Sequence, residues 1–429
     1  MNDHYKLLTY TSSDEKQNYP DRSQQHKIDG HENNPLHDAC RKGDLGRVRY
    51  ILSRGLVDVD GRDEKHGRTP LMAAAEKGHR RVFDFLIRKG ANVSQVDDDG
   101  YNILHWACRG GHMGMVRYLL SQQSVDIHSR GKFGSTPLMK AVYYGHRDMF
   151  KFLVSQGANV SQVDDDGDNI LHWACIGGHV SMVKYLLSQH IIDINSRSKK
   201  GKTPLMKAAY YGQSDVLKFL VSEGANVSLV DDDGDNILHW ACIGGQVGVV
   251  KYLLSQYSVD INSRAKMGKT PLMKAAYYGH RDVLEFLVSK GANVSMVDDD
   301  GDNIIHYASI RGQVEVLKHI ISRGIVNIRS RGKYGRTPLM RSAYYGNRKV
   351  FDLLVSEGGR ISSVDDKGYN ILHLASIGGR VEMVKHILSQ NMTDINSRNK
   401  DGETAAMIAM RKGHPVVYDF LVSRGCSLQ

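Results

Sequence analysis

The chain has 429 residues, with 57 Lys and Arg against 47 Asp and Glu and a formal net charge of +10. It contains no apolar run approaching a membrane span and opens on no secretory signal, so an intracellular protein is expected, in the cytoplasm with the nucleus open to it. The length could fill several domains, but no break in pattern appears after residue 34.

Residues 1–33 are polar apart from Leu7 and Leu8 and are predicted to be a disordered arm. From Asn34 a copied unit begins. Thr69, Thr136, Thr203, Thr270 and Thr337 each open Thr-Pro-Leu-Met, and Thr404 opens the altered Thr-Ala-Ala-Met, so the period is 67 residues. Between them Asn102, Asn169, Asn236, Asn303 and Asn370 open a related half that begins Asn-Ile. Both halves follow one plan of about 33 residues, giving twelve repeats that begin near residues 34, 69, 102, 136, 169, 203, 236, 270, 303, 337, 370 and 404. So strict a period implies a supersecondary unit in tandem, each copy burying its apolar face against the next.

Within a repeat the order reads helix, tight turn, helix, polar loop. Pro35, Pro70, Pro137, Pro204, Pro271 and Pro338 stand at the first helical position, where the missing N–H has no intrahelical partner anyway. Small residues such as Ala74, Ala75, Ala208 and Ala209 follow and let neighbouring helices approach. Gly78 or Gly212 stops the first helix. The second carries an apolar stripe, Val82, Phe83, Phe85 and Leu86 in one copy and Val250, Leu253 and Leu254 in another. Gly90, Gly157, Gly224 and Gly291 end it, and Asp-Gly or Lys-Gly pairs mark the turn of the finger beyond.

This plan resembles the ankyrin repeat family, whose signature joins a Thr-Pro-Leu-His start to a 33-residue period. The resemblance covers residues 34–429 and implies an all-α solenoid, each repeat a helix-turn-helix with a hairpin loop. The chain departs from the signature in one way. Its Thr halves carry Met72, Met139 and Met206 where the family has histidine, and its histidine halves (His105, His172, His239) begin with Asn. Only Asn34-Pro-Leu-His37 comes near to combining them. The family's Thr–His hydrogen bond is therefore expected to be absent from each repeat, leaving the turn less rigid. The last repeat, with Arg411, Lys412 and His414 and no finger, reads as a cap; Val416, Val417, Tyr418 and Phe420 leave part of that end apolar.

Chemical motifs fail on inspection. Cys108, Cys175 and Cys242 recur two repeats apart, on the order of 20 Å when helices pack about 8–10 Å apart, beyond disulfide reach. They read as reduced core residues. The same spacing keeps His105, His172, His239, His306 and His373 from sharing a metal. Gly201-Lys-Thr and Gly268-Lys-Thr lack the glycine of a phosphate loop, holding Ser196 and Ser263 there. The Asp164-Asp-Asp-Gly run cannot be a calcium loop, because Gln162 and Trp173 fall where carboxylates are required. The sequons at Asn92, Asn159, Asn226, Asn293 and Asn391 lapse without a secretory route. No catalytic site, cofactor or metal is expected.

What remains is surface. The resemblance implies a concave face made of first helices and finger tips, and it places Tyr143, Tyr144, Tyr210, Tyr211, Tyr277, Tyr278, Tyr344 and Tyr345 there. Tyrosine gives large amphipathic contact area at small rotamer cost; the competing reading packs the first of each pair on the neighbouring repeat. The fingers add Lys132, Phe133, Lys199, Lys200, Lys266, Met267, Lys333 and Tyr334 as candidate contacts. Fingers alternate in sign: Asp97–Asp99, Asp164–Asp166, Asp231–Asp233 and Asp298–Asp300 are acidic, and those between carry Arg130, Arg197, Arg264 and Arg331. Mutual neutralisation is the favoured reading over a partner with the complementary rhythm. The net charge suits an acidic protein partner, while the interrupted basic pattern argues against nucleic acid.

Two modifications are also read from resemblance. Asn195, Asn262 and Asn396 sit in Leu…Asp-Ile-Asn patterns like those of an oxygen-dependent asparaginyl hydroxylase that modifies ankyrin proteins, with Asp126-Ile-His128 a variant. Cys426-Ser-Leu-Gln resembles a prenylation box but follows the last helix without a spacer. The chain is thus read as a monomeric, non-enzymatic scaffold or adaptor that binds a protein. The alternative is a regulatory or targeting subunit that docks an enzyme such as a kinase, phosphatase or ubiquitin ligase.

Overall fold

The computed structural model describes residues 34–55, 57–122, 125–324 and 326–428; the predicted disordered arm, residues 1–33, lies outside the described residues. Among the described residues the chain forms 24 helices in consecutive pairs and no strand, with one isolated bridge between Val96 and Asn102. α1 (Pro35–Lys42) and α2 (Leu45–Ser53) make the first pair, and α23 (Ala405–Arg411) and α24 (Pro415–Ser423) the last. The all-helical solenoid is as expected.

Each first helix starts on a side-chain cap, and here the expected loose turn is corrected. In the Asn halves asparagine takes the capping role: Asn102 Oδ1 accepts from the backbone N–H groups of Leu104 and His105, both at 3.1 Å. His105 Nε2 donates to the carbonyl of Ser135 at 3.1 Å, so its bare Nδ1 accepts from the Asn102 backbone N–H at 3.2 Å. His172 and His239 do the same with the carbonyls of Lys202 and Lys269. In the Thr halves methionine sulfur replaces the imidazole. Thr136 Oγ1 accepts from Met139 N–H at 3.3 Å, and Met139 Sδ accepts from Thr136 N–H at 3.4 Å. Two orphan donors of the helix start are thereby satisfied in both halves.

One apolar core runs from Leu36 to Cys426, fed by both helices of every pair. The pairs are also joined through polar groups. His79, His146 and His280 donate from Nε2 to the carbonyls of Arg41, Arg109 and Ile243 in the preceding repeat, and Gln213 to that of Ile176, at 2.9–3.0 Å. Close approach at these joints requires glycine. A Cβ on Gly177 would stand 2.0 Å from the Tyr143 carbonyl oxygen, and one on Gly244 2.0 Å from that of Tyr210.

Consecutive first helices pack more closely than consecutive second helices. Each joint therefore opens on the second-helix side, and the row bends with the first helices inside. Along the outer side, cations cover aromatic rings of the next repeat: Arg80 lies 3.3 Å from the Tyr118 centroid, Arg117 4.5 Å from Phe152 and Lys184 5.1 Å from Phe219. Where Asp352 stands in place of the cation, His386 stands in place of the ring, 2.5 Å away.

Candidate partner-binding face

The inner face is built from first helices and from the fingers before them. The first aspartate of each acidic triple shapes its finger. Asp164 Oδ1 accepts from the N–H groups of Asp166 (3.0 Å) and Asp168 (2.8 Å), and Oδ2 accepts from Trp173 Nε1 at 3.0 Å. Asp97 and Asp231 repeat this with Trp106 and Trp240, and Asp298 with the hydroxyl of Tyr307. These buried carboxylates explain why the triple recurs without any metal.

The second and third aspartates turn toward the preceding finger. Arg130 pairs with Asp165 at 2.9 Å, Arg197 with Asp232 at 3.2 Å and Arg264 with Asp299 at 2.8 Å. Lys132 pairs with Asp99 and Lys333 with Asp300, both at 2.8 Å. Adjacent fingers thus neutralise one another, through exposed pairs each worth about 0–1 kcal/mol. Among the other lysines singled out, Lys266 lies 3.8 Å from Asp233, Lys199 donates to the Asp165 carbonyl at 2.7 Å, and Lys200 is exposed at its tip.

Phe133, Met267 and Tyr334 hold the tips at φ 57°, 59° and 60°, each followed by a glycine also at positive φ. Two left-handed residues in a row make the tight hairpin turn whose twist suits the finger. A bulky side chain there costs roughly 1–2 kcal/mol relative to glycine. Tyr334 is 55% exposed, and Phe133 and Met267 are half-buried.

The paired tyrosines divide. Tyr143, Tyr210 and Tyr277 set their rings edge-on against Trp173, Trp240 and Tyr307 of the next repeat, with centroids 5.8–6.0 Å apart. Tyr143 is buried, the other seven half-buried. The second members lie further out: Tyr144 and Tyr278 stack on His146 and His280. Arg336 covers Tyr344 at 5.4 Å, and Tyr345 meets Tyr344 edge-on.

Sequence reasoning missed a row of buried cations on the same face. Lys207 Nζ lies 2.6 Å from Asp168, Lys274 Nζ 2.7 Å from Asp235, and an Arg341 nitrogen 2.5 Å from Asp302. A signal existed: an acid and a cation 39 residues apart, repeated at the 67-residue period. Lys202, 8% exposed, adds a further cation 4.5 Å from the Trp240 ring; burial and the nearby Lys207 pull it down to about 8.

The asparagines singled out for hydroxylation bridge repeats. The Oδ1 atoms of Asn195, Asn262 and Asn396 accept from the backbone N–H groups of Asn226, Asn293 and Ser427. Cys426 of the prenylation-like box is 5% exposed, its Sγ donating to the Ile395 carbonyl at 3.3 Å. All five cysteines are buried thiols. Among the described residues no cluster of His, Cys, Asp and Glu is placed to hold a metal, and no helix is long and apolar enough to cross a membrane.

A family model described as ankyrin repeats in three copies matches six overlapping stretches, residues 3–97, 82–164, 157–231, 215–298, 290–365 and 346–429. The chain belongs to the ankyrin repeat family. Ankyrin repeats are protein-binding modules that are in general non-catalytic. Three similar proteins carry such repeats within longer chains. The human "Transient receptor potential cation channel subfamily A member 1" is 25% identical over 91% of this chain and 39% of its own length. "Palmitoyltransferase AKR1" of Lachancea kluyveri is 30% identical over 54% of this chain and 28% of its own. "E3 ubiquitin-protein ligase KEG" of Arabidopsis thaliana is 26% identical over 73% and 22%. The ankyrin chain thus spans less than half of each relative.

Proposed function

We propose that this chain is a non-enzymatic scaffold that takes a protein partner along its inner face, as a monomer inside the cell. The observation that carries the reading is the run of half-buried second tyrosines, Tyr144, Tyr211, Tyr278 and Tyr345, beside finger tips that hold bulky side chains in the left-handed region. Strain of that kind is retained where a side chain has a task. The first tyrosines support the platform from beneath and contribute rigidity. Because the fingers neutralise one another, specificity rests on shape and on a few cations, with an acidic partner fitting the net charge.

A second reading, a targeting or regulatory subunit that holds an enzyme on its substrate, draws on the ligase and the palmitoyltransferase among the relatives. An enzymatic activity co-purifying in stoichiometric amount would favour it. The test of the main reading is affinity capture with wild-type protein beside a variant carrying Tyr211→Ala, Tyr278→Ala and Tyr345→Ala, with melting curves for both. The variant should remain folded and lose its partners; a folded variant with an unchanged partner set would place the contact elsewhere.

A further inference from the structure

The internal copies of this chain act as controls for one another. In three of them a first-helix cation meets a carboxylate from the finger before it: Lys207 with Asp168, Lys274 with Asp235 and Arg341 with Asp302, every side chain at most 10% exposed. The first copy keeps the cation, Lys140, but has Tyr101 where the others have the aspartate. Lys140 is 5% exposed. Among the described residues its ammonium makes one hydrogen bond, to the Tyr101 hydroxyl at 3.0 Å, and otherwise faces the rings of Tyr101 and Trp173, 4.2 and 5.3 Å from their centroids.

An ammonium carries three N–H donors, and a buried charge without a counter-charge is costly. The neighbours do not supply one. Glu76 is shared by Arg109 at 3.3 Å and Arg68 at 3.8 Å, and Asp99 is taken by Lys132 at 2.8 Å. Asp97 is committed to the Trp106 indole and to its own turn. The first copy is therefore one carboxylate short where the next three are supplied. Burial, with Arg109 adding repulsion, pulls the Lys140 amine down to about 7, as such a deficit requires.

We propose that Lys140 receives an Asp or Glu side chain from the bound protein, its carboxylate standing to Lys140 as Asp168 stands to Lys207. Arg109, 32% exposed at the side chain, offers that carboxylate its first contact. The inference rests on the inner face being the docking side, and it adds a fixed register: an acidic anchor is read at the first doublet only, because the following copies carry their own.

Octaglutamate, with octaglutamine as control, tests this on the full chain by lysine side-chain NMR. The Lys140 signal is assigned by its loss in Lys140→Met. Octaglutamate should move the Lys140 titration midpoint upward and leave those of Lys207 and Lys274 in place; octaglutamine should move none. Tyr101→Asp, which installs the internal acid of the other copies, should abolish the response while leaving the melting curve intact or raised. Should Tyr101→Asp not fold, the Lys140→Met variant carries the test by binding octaglutamate about thirtyfold or more weakly than wild type. An unmoved Lys140 signal, equal response in Tyr101→Asp, or a response to inorganic phosphate without one to octaglutamate would overturn the assignment. Such a failure alongside partner loss in the tyrosine triple variant would leave the docking side standing.

Discussion

Lys207 and Asp168 belong to successive repeats, 39 residues apart, and meet at 2.6 Å with side chains 4% and 0% exposed. Neither charge has access to water, so each depends on the other. Removing one partner of such a pair strands the other and typically costs about 3–5 kcal/mol, whereas replacing both by apolar groups is often neutral.

Lys207→Met should therefore destabilise the chain by about 3–5 kcal/mol, and adding Asp168→Leu should restore much of the loss. Hydrogen exchange resolved along the chain is the measurement of choice, because repeat arrays need not unfold as one unit. Protection should fall first around the joint at Thr203.

The buried imidazoles predict a pH dependence. Burial drives His105 down to about 3 and His172 and His239 to about 4, against an ordinary 6.5, so they are neutral in the fold. The unfolded chain binds these protons first. The contribution of His172 is then complete above pH 6.5 and drains away as pH falls toward about 4, amounting to roughly 3 kcal/mol. Asp164, raised to about 7 by burial and by Asp168, works in the opposite sense, gaining as pH falls. A difference measurement isolates the imidazole. The stability gap between wild type and His172→Gln should narrow steadily from pH 6.5 to 4, and a constant gap would contradict neutral burial.

Glycines on the two helices of a repeat should respond oppositely to alanine. Gly177→Ala drives a Cβ into the Tyr143 carbonyl and should cost about 1–3 kcal/mol. Gly248, on the second helix Val247–Gln256, has nothing within 4 Å of a built Cβ, so Gly248→Ala should stabilise by about 0.4–1 kcal/mol through the unfolded chain. Urea unfolding followed by circular dichroism separates the two.

Asn195 is a further test of the joints. Its side-chain carbonyl accepts from Asn226 N–H at 2.9 Å, and Asn195→Ala should lower stability by about 1 kcal/mol. Hydroxylation at Asn195, Asn262 or Asn396 would appear as one added oxygen by mass spectrometry after incubation with the hydroxylase. Unmodified peptides under those conditions would withdraw the proposal.

The period, the helix starts at proline or after asparagine, and the stop glycines were legible because each is fixed by local backbone geometry. The capping exchange was not. It needs Asn102 and His105 seen together with Ser135, 30 residues on, which no reading of a single repeat supplies. Lys207 misled for a similar reason: a lysine four residues into a helix reads as solvent-facing until its distant aspartate is placed beside it. For the tyrosines, sequence gave two readings, and the observed packing of Tyr143 on Trp173 depends on which side of the helix the adjoining repeat covers.

The joints come in two alternating kinds, one in which Gly177 accommodates a tyrosine carbonyl and one in which Lys207 finds its acid. Excising residues 203–269 would bring Thr270 to the place of Thr203 and Lys274 opposite Asp168, leaving every seam of a familiar type. Excising 203–235 alone would abut two halves of the same kind, and Asp168 would face Trp240 with no ammonium in reach. The molecule can be shortened or extended only by even numbers of repeats, which makes the doublet its smallest exchangeable part.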